Sequence, residues 1–124
     1  MKQSIEKLEN LINQIKAYPK VVAIFLFGSH SKGTEKPLSD IDVAVVLKEP
    51  DAEIEAEIGS MYSEELDVVL FHRLPLHIQF EVLKYGREIY CRDEDFLLNI
   101  KRTVLRDYLE TSWLYQRIAR DVLK

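Results

Sequence analysis

The chain has 124 residues, a length suited to one domain that buries roughly two thirds of its unfolded surface, and its 47% apolar and 31% charged content is that of an ordinary globular protein. A net charge of −4 argues against a general nucleic-acid binder, which needs a basic surface for phosphates, yet admits a nucleotide whose charge a divalent metal offsets. Cys91 stands alone and makes no internal disulfide, no apolar run approaches the roughly 20 residues of a membrane span, and the charged start MKQSIEKLENLINQIK does not resemble a signal peptide, so a cytoplasmic protein is expected.

Ile5, Leu8, Ile12 and Ile15 recur at helical spacing and predict a first helix, with Ser4 as its N-cap and Pro19 beyond its end. VVAIFLF follows, apolar throughout and rich in β-branched and aromatic residues, which predicts a strand buried on both faces. A polar loop leads to DIDVAVVL, a second strand ended by Pro50. DAEIEAEIGSMYS reads as an acidic helix and LDVVLF as a third strand. A further helix is expected to begin at Pro75, where the first turn tolerates proline, and to run to Gly86 as its C-terminal cap. REIY is a short strand, and one long helix then runs from about Asp93 to the end. This order predicts an α/β (α+β) fold, a small mixed sheet covered by helices. The expected organisation is a single domain over 1–124, with 1–92 as core and 93–124 as a C-terminal helix.

That last helix carries Leu97, Ile100, Val104, Tyr108, Tyr115, Ile118 and Val122 at steps of three, four or seven. Its other flanks carry Leu105, Leu109, Trp113 and Leu114, so one packing stripe does not account for all its large apolar residues. Whatever stays exposed suits a partner's helix. The acidic DAEIEAE run reads as a solvated helix face.

Asp40 and Asp42 stand two apart at the start of a strand, so both carboxylates leave the same face while Ile41, Val43 and Val45 point the other way. Two carboxylates side by side repel unless a cation lies between them, and hard oxygen donors suit Mg²⁺ or Mn²⁺ shared with phosphates. Asp67, which alternates with Leu66, Val68 and Leu70 on the third strand, joins them if that strand lies beside the second. Three carboxylates can hold two metals roughly 3.5–4 Å apart, the spacing for in-line phosphoryl or nucleotidyl displacement. Gly28 permits a sharp turn and close phosphate approach after the first strand, Ser29 offers a hydroxyl, and Lys32 adds positive charge. A Gly-Ser pair alone is a turn and an Asp-x-Asp alone a cap; the joint spacing, each on the right element, carries the functional reading.

GSHSKGTEKPLSDID resembles the Gly-Ser-x10-Asp-x-Asp signature of the DNA polymerase β-like nucleotidyltransferase superfamily, and the small size resembles its minimal branch. The resemblance implies the polymerase β-like fold, ATP as substrate and two Mg²⁺ ions. It implies that Gly28 and Ser29 contact the triphosphate, that Asp40 and Asp42 bind the metals, and that Asp67 binds metal and helps activate the attacking hydroxyl. Many members have arginine where Lys32 stands, and lysine binds phosphate as a point charge without the bidentate fork. No base-recognition motif is evident. The resemblance further implies an antitoxin that transfers AMP to a tyrosine of a HEPN ribonuclease toxin in a hetero-oligomer. The alternatives are a small hydroxylated acceptor such as an aminoglycoside, and an antitoxin that acts by binding alone.

Overall fold

The computed structural model describes residues 2–28, 41–61 and 66–122. Its elements are α1 (Lys2–Lys16), β1 (Val21–Phe27), β2 (Ile41–Leu47), α2 (Ala52–Gly59), β3 (Leu66–Leu70), α3 (Leu76–Tyr85), β4 (Arg87–Cys91) and α4 (Glu94–Val122). The strands form one mixed sheet in the order β3-β2-β1-β4. β1 runs antiparallel to β2 and β4, while β2 and β3 are parallel. A parallel pair needs a crossover, and the short acidic α2 supplies it.

The sheet is covered on both faces, as the unbroken apolar run of β1 requires. On one side Ile24, Val43 and Val45 pack with Leu11 and Ile15 of α1 and Ile58 of α2. On the other, Phe25, Ala44 and Val46 pack with Val82 of α3 and with Leu97 and Val104 of α4. Alternation along β2 therefore sends odd-numbered residues to the α1/α2 side and even-numbered ones to the α3/α4 side. No polar or charged residue is buried among the described residues. No helix among them is long and apolar enough to cross a membrane.

The helix ends show what local chemistry decides. Asp51 caps α2 by accepting the Ile54 amide at 2.9 Å, and Asp93 caps α4 by accepting that of Phe96 at 3.0 Å. α1 begins at Lys2, two residues ahead of Ser4, the expected N-cap. The acidic helix is shorter than expected: it ends at Gly59, where Ser60 returns its hydroxyl to the Glu57 carbonyl at 2.8 Å. Pro75 precedes α3 instead of opening it. The third strand stops at Leu70, since Phe71 enters a single 3-10 turn through Arg73 and buries its ring on the α3/α4 side. Arg92, just after β4, donates to the carbonyls of Lys16, Tyr18 and Pro19 and ties the end of α1 to the β4 edge of the sheet.

Candidate active site

One row across the sheet gathers three of the residues singled out above. Phe27, the last residue of β1, pairs with Asp42 in the antiparallel ladder, and Asp42 pairs with Asp67 in the parallel one. Gly28 follows Phe27 directly, at the same end of the sheet. Asp42 shares the parity of Ala44 and Val46, and Asp67 that of Val69, so both carboxylates stand on the α3/α4 face. Neighbouring strands lie about 4.8 Å apart. β2 begins there with Ile41 and Asp42 half-buried before its fully buried stretch, and on the outer strand Asp67 is exposed.

The sequence says why the row sits at this end. From Val43 to Leu47 β2 is buried, a stretch closed to an ionised carboxylate without a partner. The half-buried first residues of β2 are where charge can remain wet. β3 repeats the pattern, with Asp67 second in its strand. The parallel register aligns the two acidic positions side by side.

Two hard oxygen donors brought together in this way fit a divalent cation such as Mg²⁺, which keeps several waters and takes one or two protein carboxylates with substrate phosphates. Among the described residues no group of three potential metal-ligating side chains assembles. Asp40, the third expected carboxylate, lies outside the described residues, as do Ser29 and Lys32 of the expected phosphate loop. The register also places Phe27 beside Asp42 on the same face, as an apolar wall. Its position was foreseeable only as part of the buried strand, because a phenylalanine in an apolar run carries no further signal.

Residues 9–95 match the family described as polymerase beta, nucleotidyltransferase. Over 73 residues the chain is 34% identical to MJ1547 of Methanocaldococcus jannaschii, to which protein adenylyltransferase activity is ascribed; the match spans 57% of this chain and 57% of that relative. Over 111 residues, 85% of this chain and 78% of the relative, it is 27% identical to the protein adenylyltransferase MntA of Shewanella oneidensis. A chain in a crystal structure of a toxin–antitoxin complex with AMP-PNP matches with a TM-score of 0.65 at 26% identity, over 96% of this chain and 98% of that one. The family match covers more than half of the chain and includes both described carboxylates, and the protein belongs to the polymerase beta nucleotidyltransferase family.

Proposed function

We propose that the protein is a metal-dependent adenylyltransferase that moves AMP from ATP to a tyrosine hydroxyl of a HEPN-type ribonuclease toxin, as its antitoxin. The observation that carries this reading is the Asp42–Asp67 register pair beside Gly28, at one end of the sheet. The named activity of MntA supports a protein acceptor, and the toxin–antitoxin complex with AMP-PNP supports an ATP-like substrate and a toxin partner.

In this mechanism Gly28 lets the backbone approach the triphosphate, while the Ser29 hydroxyl donates to a phosphate oxygen and Lys32 offsets its charge. Asp40, Asp42 and Asp67 hold the metal, two Mg²⁺ ions or Mn²⁺ in their place. Bound metal supplies positive charge at the phosphates and lowers the cost of deprotonating the acceptor hydroxyl. Asp67, exposed on the outer strand, orients the incoming hydroxyl. The tyrosine oxygen forms a bond to the α-phosphorus, the bond to the β-phosphate oxygen breaks, and diphosphate leaves. The proton of the hydroxyl passes to Asp67 and then to solvent. Holding both reactants in line supplies much of the remaining acceleration.

The test is transfer from α-labelled ATP with Mg²⁺ to the cognate HEPN protein, read by mass as addition of AMP to tyrosine. Asp42→Ala should reduce the rate on the order of 100-fold or more. Undiminished transfer by that variant removes the metal role. Label reaching a small hydroxylated compound and not the protein, or neutralisation without any transfer, replaces this reading with one of its two alternatives.

A further inference from the structure

α4 is 29 residues long, about 44 Å at 1.5 Å per residue, and its first half holds its packing against the domain. Leu97 and Val104 are buried in the sheet's α3/α4 core, and Tyr108 stacks on Phe80 of α3 with ring centroids 3.9 Å apart. The same stripe continues through Tyr115, Ile118 and Val122, yet these are 73%, 54% and 76% exposed. A second stripe, Leu98, Leu105, Leu109 and Trp113 at steps of seven, four and four, runs round the helix roughly a quarter-turn or more from the first and is exposed throughout. Leu114 adds a third exposed side. From Leu105 to Val122 large apolar side chains therefore stand exposed on more than one side of the helix, beside a polar strip of Arg106, Glu110, Arg117 and Asp121, and a single packing partner on one face would not cover them.

Charge narrows what encloses it. Arg102, Arg106, Arg117 and Arg120 lie on or beside the second stripe by helical spacing. Arg117 sets its guanidinium 5.3 Å from the centre of the Trp113 ring. Arg106 meets only its exposed neighbour Asp107, at 3.3 Å, among the ion pairs of the described residues. A second copy pairing along Leu105 and Leu109 would bring the arginines of both chains onto one seam and would cover a single side. Like charges in that position disfavour it, and an acidic rim on a different protein satisfies it.

We propose that the second half of α4, Leu105–Val122, is the docking element for the acceptor protein, and that it inserts into an apolar groove between that protein's helices whose rim is acidic. This rests on the protein acceptor proposed above. Helix-in-groove recognition uses apolar anchors at such spacings, with aromatic and arginine side chains carrying most of the affinity.

The test measures affinity of the full chain for its cognate HEPN protein without ATP. The double variant Leu109→Glu/Trp113→Glu should bind at least about 30-fold more weakly, with an unchanged circular dichroism spectrum because both side chains are exposed. Arg106→Glu/Arg120→Glu should weaken binding at least about 10-fold at low salt, a difference that shrinks at about 0.5 M salt. Asp42→Ala should bind as the wild type does. Undiminished binding by the Leu109/Trp113 variant overturns the docking surface. A wild-type chain that dimerises alone, and becomes monomeric on Trp113→Glu, overturns the choice of partner. A complex that forms normally and transfers no AMP overturns the proposed function and leaves this surface standing.

Discussion

Gly86 shows how a residue is fixed by space and not by torsion. Its backbone, at φ −70° and ψ 158°, is ordinary extended chain that any residue adopts. Its amide caps α3 by donating to the Val82 carbonyl at 2.8 Å. A methyl group at this position would run into that carbonyl oxygen and come within 3.3 Å of the Leu26 oxygen on β1. Both are backbone atoms that cannot swing aside. Gly86→Ala should therefore cost ~1–3 kcal/mol, read as a lower urea midpoint with an unchanged slope. The cap was legible in the sequence as a glycine after a helical run, but its cause was not, because it depends on where the Val82 carbonyl, four residues earlier, and a strand 60 residues away stand in the fold.

Among the elements, α2 is held to the end of β3 by one carboxylate. Glu55 accepts from the Arg73 Nε at 2.7 Å and shares a 3.0 Å contact with His72 Nε2. The Arg73 guanidinium, opposed by partial desolvation and aided by His72, holds the Glu55 carboxyl below its ordinary 4.5. A depressed carboxylate contributes stability above its unfolded value and loses it as pH falls through the folded one. Melting temperature should thus drop as pH falls below the ordinary 4.5 of a glutamate, and Glu55→Gln should flatten that part of the curve. Nothing in the run DAEIEAE distinguishes Glu55 from its neighbours; the contact closes across 18 residues. Most elements were legible, since β1 is an unbroken apolar run, β2 is one from Val43 onward, and α4 is long and periodic. The strand order was not, because pairing β4 with β1 depends on contacts far apart in the chain. The site was legible to the extent that it is local: Asp67 reaches Asp42 only through the β2–β3 pairing, which the sequence left conditional.

At the scale of the molecule, α4 divides into a half that belongs to the core and a half that stands exposed. The buried anchors of α4, Leu97 and Val104, precede its exposed half. A chain ending at Gln116 should lose less than about 1 kcal/mol of stability, measured by thermal or urea unfolding. Unfolding of the truncated chain would show that the terminal turns belong to the core. The sheet has a further consequence at this scale. Because β3 is the outermost strand, the row proposed as catalytic has β1 and β2 on one flank and, among the described residues, no neighbouring strand on the other. If the row works as proposed, change confined to what lies beyond that margin would leave the nucleotide half untouched, and a scaffold of this design could exchange the molecules it modifies without rebuilding the apparatus that modifies them.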